Sequence, residues 1–341
     1  MNPIRINLIG AGQWGPNVIR AFSSIPGVAV GCVADIDAQR LELVRQNTPW
    51  VETTSDAEKA LRDPAADAVA IITPVSTHFD LARRALAAGK HVFVEKPLCR
   101  TSEEARELIA LADTEKRLMM VGHVFLFNPG ILKVKEILAS GELGRVIYID
   151  AVRTNLGPIR NDVNALWDLA SHDFSIVDFW LGAGPLGISA TGSRVPGRRL
   201  EDVVFATARY PGGAILHVHA SWLNPRKVRQ ITVVCENKMI VWDDIDLAQT
   251  VHIYSHGVTI DKSDYSDTFG SHQLKCHRGD LVIPSVAGGE PLRSECQHFI
   301  DCIRTGAEPR SDGASGKRVV DILVAADRSL ASWGAYVAVS V

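Results

Sequence analysis

The first third of this chain takes its fold from one stretch, Ile4-Arg5-Ile6-Asn7-Leu8-Ile9-Gly10-Ala11-Gly12-Gln13-Trp14-Gly15. The mostly apolar residues at its start predict a short buried strand, and a GxGxxG pattern follows at once. Pro16 suits the first turn of a helix that continues through Val18, Ile19 and Phe22. A strand, a glycine turn and a helix in this order are the context in which GxGxxG indicates a dinucleotide site.

Each glycine has a separate task in such a site. Gly10 allows the tight turn, Gly12 lets the backbone approach a pyrophosphate, and Gly15 lets the helix pack on the strand. Gln13 and Trp14 lie between these glycines, so we expect both to line the cofactor. The helix start adds N–H groups and the positive end of a dipole, and both attract phosphates.

An acidic residue then indicates which dinucleotide is bound. The apolar strand predicted at Val28–Ala34 ends at Asp35, 20 positions after Gly15. At about that distance an acid binds the hydroxyls of the adenosine ribose. A carboxylate there repels a 2′-phosphate, so NAD is favoured over NADP, although Arg40 nearby weakens that preference. The alternative is that Asp35 or Asp37 caps the next helix.

Strands and helices continue to alternate as far as residue 122. A strand at 68–72 ends in Thr73-Pro74 with His78 shortly after, and a strand at 91–94 ends in Glu95-Lys96-Pro97. Alternating β and α units predict a parallel, doubly wound sheet whose strand ends face one crevice. We therefore expect a set of residues near the cofactor at this edge: Thr73, Pro74, His78, Glu95 and Lys96. The alternative for His78 is a structural role at the start of a helix.

After His123 the pattern changes to neighbouring strands, which dominate between residues 146 and 254, with a hairpin at Pro211-Gly212-Gly213. The predicted fold class is α/β Rossmann, with a doubly wound parallel sheet, plus an α+β domain with a large, mainly antiparallel open sheet. We place a Rossmann NAD-binding domain at 1–122 and a substrate-binding and oligomerisation domain at 123–341, whose C-terminal helix has room to pack back on the first. An open sheet has a face to cover, so we expect a homodimer or homotetramer.

A second constellation lies between the first two of those strands. Leu166-Trp167-Asp168-Leu169-Ala170-Ser171-His172-Asp173 predicts a helix that runs on to Gly182, and on it Asp168 and His172 share one face at i, i+4 spacing. An imidazole beside a carboxylate is a recurring pair of base and orienting acid. The alternative is a solvated ion pair on a helix surface.

Candidates for binding a substrate lie just ahead of that helix. They are Arg153, Asn155 and Arg160, for which the alternative is an ordinary surface position. A further set is Trp222, Lys227 and Arg229, where the tryptophan is as well explained by packing on a sheet face and the two cations by a solvated edge.

Composition excludes several classes of protein. The formal charge of -3 gives no reason to expect a nucleic acid or an anionic membrane as partner. The start Met1–Arg5 has no signal-peptide pattern, and no apolar run is long enough for a membrane helix, so a cytoplasmic protein is expected. The six cysteines lack metal-ligand spacing, and the cluster of His272, Cys276 and His277 is a poor ligand set, so no metal is expected.

Taken together, Gly10-x-Gly12-x-x-Gly15, Glu95-Lys96-Pro97 and Asp168-x-x-x-His172 resemble the Gfo/Idh/MocA family of NAD(P)-dependent sugar and inositol oxidoreductases. The resemblance implies that Lys96 is the active-site lysine and that Asp168 and His172 are its catalytic partners. It also implies a Rossmann domain followed by an antiparallel sheet domain whose face supports dimers or tetramers. Leu126 is a departure, because many relatives carry an arginine there.

Within that family, the segments 153–157 and 162–173 resemble a branch that oxidises the 3-hydroxyl of UDP-N-acetylglucosamine and related UDP-sugar acids. The resemblance implies an NAD-dependent dehydrogenase that oxidises a secondary hydroxyl of a sugar, in particular a nucleotide sugar such as a UDP-N-acetylhexosamine. The alternatives are an inositol or free-sugar dehydrogenase of the same family, and a non-catalytic NAD-binding regulator.

Overall fold

The computed structural model describes residues 3–255, 257–260, 274–277 and 279–339. The chain divides into two compact units. The first unit contains Met1–Asn128 and Gly289–Val324, and the second contains Pro129–Gly288 and Ala325–Ser340. The division near residue 128 lies close to the boundary expected from sequence, but Gly289–Val324 groups with the first unit rather than the second.

The bounds of the strands and helices are as follows. The strands are β1 Ile4–Ile9, β2 Val28–Ala34, β3 Glu52–Thr54, β4 Ala68–Ile71, β5 His91–Glu95, β6 Met119–Gly122, β7 Val146–Leu156, β8 Gly187–Ser193, β9 Val203–Arg209, β10 Ile215–Ser221, β11 Leu223–Cys235, β12 Met239–Asp243, β13 Val251–Tyr254, β14 Gly257–Ile260, β15 Leu274–His277, β16 Leu281–Val282 and β17 Val337–Ala338. The helices are α1 Gly15–Ser23, α2 Ala38–Asn47, α3 Ala57–Leu61, α4 His78–Ala87, α5 Ser102–Glu115, α6 Pro129–Ala139, α7 Ser171–Leu181, α8 Pro291–Thr305 and α9 Gly313–Ala331.

The sheet of the first unit is parallel and has the strand order β3-β2-β1-β4-β5-β6. Its central strands are buried on both faces, because helices cover both sides of a doubly wound sheet. The strand order reverses between β1 and β4, and ligands of such sheets bind at the carboxyl ends of the strands beside that point. The predicted Rossmann sheet is therefore confirmed.

Three phenylalanines fix how α8 lies against this sheet. Phe93 of β5 packs edge-on against Phe299 of α8, with ring centroids 5.7 Å apart, and Phe22 of α1 contacts both rings. Edge-to-face pairs of this kind add about 0.5–1.5 kcal/mol each beyond the area they bury. The cluster sets the position of α8 along β5, although more than 190 residues separate them.

The sheet of the second unit has the strand order β16-β13-β12-β11-β7-β10-β9-β8-β17. All neighbouring pairs with described registers are antiparallel except β7 and β10, which run parallel, so the predicted mainly antiparallel sheet is confirmed. Side chains of β9 alternate between buried and exposed, which shows that one face is packed and the other is open. The predicted hairpin joins β9 to β10. Among the described residues, no helix is both long enough and apolar enough to span a membrane.

Candidate active site

The glycine-rich loop joins β1 to α1 at the carboxyl edge of the parallel sheet. Gly10 has a φ of +102°, and a Cβ there would lie 2.5 Å from the carbonyl oxygen of Ile72. A Cβ on Gly15 would lie 2.6 Å from the Gly10 oxygen, so a larger residue at either position would displace the loop. At Gly12 the nearest heavy atom to such a Cβ would be Arg40 Nη1, at 3.5 Å. The backbone at Gly12 is thus open to an approaching diphosphate.

Asp35 follows β2 and is tied to the glycine-rich loop. Its carboxylate is buried and accepts hydrogen bonds from the backbone N–H groups of Ala11, at 2.6 Å, and Asp37, at 2.8 Å. Asp37 is the residue that caps α2, since its side chain accepts from the Gln39 N–H. Arg40 Nη1 lies 3.7 Å from Asp35 Oδ2, and its side chain is half exposed. The helix-capping alternative therefore describes Asp37 and not Asp35.

The loop after β4 is held by His78. The ring nitrogens of His78 lie 2.8 Å from the Thr73 carbonyl oxygen and 2.9 Å from that of Pro97, and the imidazole is buried. Thr77 Oγ1 donates to Thr73 Oγ1 at 2.7 Å, while Pro74 is exposed. His78 begins α4 and links two strand-end loops, as the structural alternative proposed. Its contact with the cofactor stays a prediction.

Glu95 and Lys96 lie where β5 ends. The backbone N–H of Lys96 donates to Glu95 Oε2 at 3.1 Å. Burial raises the pKa of Glu95 to about 7, against the opposing effects of Lys96 and of Trp14. A Cβ on Gly122 of β6 would lie 3.1 Å from the Glu95 carboxyl group, so glycine makes room for it. Burial lowers the pKa of His123 to about 3, with Lys96 as the second cause, and leaves a neutral imidazole beside the lysine.

In the second unit, Asp168 lies in a π-helical turn, Leu166–Ala170, that leads into α7. Its Oδ1 accepts from Arg160 Nη1 at 3.3 Å, and its Oδ2 accepts from the Trp222 indole at 3.3 Å. His172 follows in the first turn of α7. The predicted helix is thus present and ends at Gly182, but its first turn is wound more widely than an α-helix, which is common at functional sites.

The candidate substrate residues differ in their surroundings. Arg153 is 3% exposed, and its guanidinium donates to both carboxylate oxygens of Asp173, the shortest bond being 2.7 Å. The geometry does not support a substrate role for Arg153, because a buried guanidinium in a charged pair is held by the fold. Asn155 donates to the Gly157 carbonyl oxygen and is half-buried. Arg160 is partly exposed and pairs with Asp162 as well as Asp168.

The sequence did not reveal the contact between Trp222 and Asp168. Trp222 is buried in the sheet domain, as packing predicts, but its indole N–H also donates a hydrogen bond to the proposed catalytic carboxylate. Lys227 is exposed, and Arg229 pairs with Asp244 at 3.2 Å. Both lie on β11, which is flanked by β12 and β7, so the predicted position at a sheet edge is wrong. Among the described residues no cluster of His, Cys, Asp and Glu is arranged to hold a metal ion. His272 lies outside the described residues.

Comparison with known families identifies the fold. Residues 4–123 match the oxidoreductase family with an NAD-binding Rossmann fold, and residues 131–241 match the GFO/IDH/MocA C-terminal domain. The chain belongs to the Gfo/Idh/MocA family of oxidoreductases. The two matches meet near the boundary between the two units and together span both the parallel sheet and most of the second one.

Two characterised relatives cover almost the whole chain. The chain is 26% identical over 319 residues to a scyllo-inositol 2-dehydrogenase (NAD(+)) of Bacillus subtilis, covering 90% of this chain and 88% of the relative. It is 26% identical over 331 residues to a UDP-N-acetylglucosamine 3-dehydrogenase of Acidithiobacillus ferrooxidans, covering 93% and 94%. A solved structure of the UDP-N-acetylglucosamine 3-dehydrogenase GnnA from Acidithiobacillus ferrooxidans gives a TM-score of 0.78 at 25% identity, covering 97% of this chain and 99% of that one.

This Gfo/Idh/MocA protein is an NAD-dependent dehydrogenase of the sugar and polyol class, which acts on CH–OH groups. The first unit fits the cofactor: Gly12 leaves the backbone open to a diphosphate, and the Asp35 carboxylate ends β2 beside the same loop. The two relatives act on different substrates at equal identity, so the family match alone assigns no single sugar.

Proposed function

We propose that this enzyme oxidises a secondary hydroxyl group of a nucleotide sugar, with a UDP-N-acetylhexosamine as substrate. The observation that carries the proposal is the Asp168 carboxylate, which Arg160 and Trp222 hold on its two oxygens one turn before His172. The Arg160 side chain is also partly exposed, and a cation there can meet the phosphates of a nucleotide sugar. The relative named as a UDP-N-acetylglucosamine 3-dehydrogenase matches over 93% of this chain and 94% of its own length, which supports the same substrate class.

The proposed residues act on one hydroxyl group. His172 accepts the hydroxyl proton, while Asp168 orients the imidazole and stabilises its positive charge. Lys96 donates a hydrogen bond to the reacting oxygen as negative charge develops there, and shares the proton-transfer role. NAD, when bound, supplies the acceptor for the hydride that leaves the carbon. The proton and the hydride together account for the two hydrogens removed in forming the ketone.

The cofactor and the substrate have separate sets of proposed binding residues. We propose that the cofactor is held by the residues at the carboxyl edge of the parallel sheet, namely Gly10, Gly12, Gln13, Trp14, Gly15, Asp35, Thr73, Pro74, His78, Glu95 and Lys96. Asn155, Arg160 and His172 are the proposed substrate contacts. Arg153 instead supports this region from within, through its pair with Asp173.

Substrate choice is tested by following NADH absorbance with purified protein. The panel holds UDP-N-acetylglucosamine, UDP-N-acetylglucosaminuronic acid, scyllo- and myo-inositol and free glucose. We expect turnover with a UDP-sugar and little with the free sugars or inositols. Faster oxidation of an inositol would establish the alternative that the Bacillus relative favours. Tight NAD binding without turnover on the whole panel would favour a regulator.

The role of His172 is tested on the substrate found in that panel. Replacing the general base with alanine, His172→Ala, should lower kcat by about 10²–10⁴-fold while leaving the affinity for NADH unchanged. His252, a half-buried histidine of β13, gives the matched variant His252→Ala, which should keep wild-type turnover. Near-normal kcat in His172→Ala would remove it as the base.

We also propose that the open face of the nine-stranded sheet joins copies of this chain. Tyr148, Ile215 and Phe205 lie on that face in β7, β10 and β9, and all three are substantially exposed. Native mass spectrometry should show a dimer or tetramer, and Phe205→Asp should shift the mass toward the monomer. Leu247→Asp, at an exposed position outside these strands, should leave it unchanged. A wild-type monomer would refute the proposal.

A further inference from the structure

One buried carboxyl group of the first unit has no place in the mechanism above. Glu295 lies in α8 and is 0% exposed. Leu292, Cys296 and Phe299 form the buried, apolar face of the same helix, and Glu295 falls on that face between them. A charged residue in such a position costs stability unless it is paired or protonated, so its retention calls for an explanation.

The packing of α8 brings Glu295 toward Glu95. Phe93 lies two residues before Glu95 on the same side of β5, and Phe299 lies one helical turn after Glu295 on the same side of α8. The Phe93 and Phe299 rings are in contact, which brings this part of α8 against the end of β5. The electrostatic effect of Glu95 on Glu295 agrees with that placement.

Both carboxyl groups lack hydrogen-bond partners where they face this interior. Among the described residues, neither oxygen of Glu295 has one, and neither does Oε1 of Glu95, whose Oε2 accepts from the Lys96 N–H. Both ring nitrogens of His123, the residue after β6, are buried and unpartnered too. Buried polar groups of this kind are satisfied by ordered water, which needs two to four polar partners.

We infer that Glu295 is a positioning residue of the active site: Glu95 and Glu295 share one proton through bridging water, and the shared proton holds the Glu95 carboxylate beneath Lys96. Two neighbouring buried carboxylates do not both ionise at neutral pH, because each disfavours the charge of the other. The pair then carries a single negative charge next to the lysine. This inference rests on the proposed role of Lys96.

The other polar and titratable groups near Glu95 and Glu295 do not take over the role of holding the shared proton. His123 is kept neutral, and burial raises the pKa of the Cys296 thiol well above its ordinary value. Trp14 opposes the rise in the pKa of Glu95, and at the start of α8 the exposed Glu290 is paired with Arg20.

The titration has a definite sign. Burial raises the pKa of Glu95 to about 7 and that of Glu295 well above 4.5, so the folded protein keeps a proton that the unfolded chain releases. The resulting stability is present below the unfolded pKa of glutamate and is lost as pH rises through the folded values. The melting temperature of wild type should therefore fall as pH rises from about 4.5, the ordinary pKa of glutamate, through neutrality to the folded values.

The test compares Glu295→Gln, Glu295→Leu and the control Glu290→Gln, which changes an exposed carboxylate immediately before the same helix. Infrared spectra of the cofactor-free protein should show a protonated carboxylic acid at neutral pH that is lost at alkaline pH. We expect Glu295→Gln to remove that signal and to flatten the fall in melting temperature with rising pH, and Glu290→Gln to retain both.

Turnover gives a second readout. Glutamine keeps a hydrogen-bond donor without the titration, so Glu295→Gln should retain kcat. Leucine removes the donor, and Glu295→Leu should lower kcat by about 10–100-fold, the worth of a hydrogen bond to a charged group. The inference is overturned if Glu295→Gln keeps the infrared signal of wild type. It is also overturned if Glu295→Gln and Glu295→Leu are equally active and both keep the wild-type pH profile. The infrared result needs no substrate, so it separates this inference from the proposed function.

Discussion

Replacing Trp222 with phenylalanine isolates one hydrogen bond to the proposed catalytic carboxylate. The indole N–H donates to Asp168 Oδ2 at 3.3 Å, and Trp222 is 1% exposed, so phenylalanine keeps most of the packing and removes the donor. Hydrogen bonds to charged groups contribute about 1.5–3 kcal/mol, and the length of this one favours the lower end. If that energy orients Asp168 in the transition state, kcat should fall about tenfold, since ~1.4 kcal/mol corresponds to a factor of ten.

Steady-state kinetics and cofactor binding together check this prediction. Trp222→Phe should lower kcat and kcat/KM by similar factors, because the interaction stabilises the transition state, while the NADH affinity measured by fluorescence stays at the wild-type value. Trp242→Phe is the control, since Trp242 is equally buried in β12 of the same sheet and the volume lost is the same. Equal losses in the two variants, or an unchanged kcat in Trp222→Phe, would show that the indole only fills space.

Three further predictions concern the cofactor loop and the buried ion pair. Gly15→Ala brings a Cβ within 2.6 Å of the Gly10 oxygen, so NADH titration should show at least tenfold weaker binding of the cofactor by a displaced loop. Asp35→Asn removes the charge that repels a 2′-phosphate, and the ratio of kcat/KM for NAD over NADP should fall; an unchanged ratio would contradict the role of Asp35. Arg153→Leu leaves Asp173 buried and unpaired and should cost about 3–5 kcal/mol in urea unfolding, while the double variant Arg153→Leu with Asp173→Leu should recover much of that loss.

The cofactor edge was accessible from sequence because its signals are local. Gly10, Gly15 and Asp35 are needed where backbone geometry or a strand end requires them, and a single chain shows that requirement directly. The Asp168–His172 spacing was equally visible. Trp222 was ambiguous, because its role depends on a contact across 54 positions that no periodicity encodes. Arg153 shows a second problem, because the local sequence does not distinguish an exposed arginine that lines a site from an arginine that is buried beneath it.

The helical periodicity of α8 singles out Glu295. Its position is on the apolar face of α8, three residues after Leu292 and four before Phe299, where helical periodicity predicts an apolar side chain. An acid in that place is a conflict between local pattern and burial, and such conflicts concentrate at functional sites. The conflict identifies the residue, but its partner Glu95 becomes visible only when the phenylalanine contact aligns α8 with β5.

Position 126, a leucine in this chain, is contacted by an arginine from elsewhere in the first unit. Leu126 is buried, and its carbonyl oxygen accepts a hydrogen bond from Arg310 Nη1 at 2.9 Å. The same guanidinium lies over the ring of Phe127, 4.7 Å from its centroid. A cation is therefore present at this segment although it comes from the stretch between α8 and α9. If the segment needs positive charge to bind an anionic substrate, Arg310→Leu should raise KM for a UDP-sugar with little change in kcat, whereas an equal KM would show that Arg310 only supports the backbone.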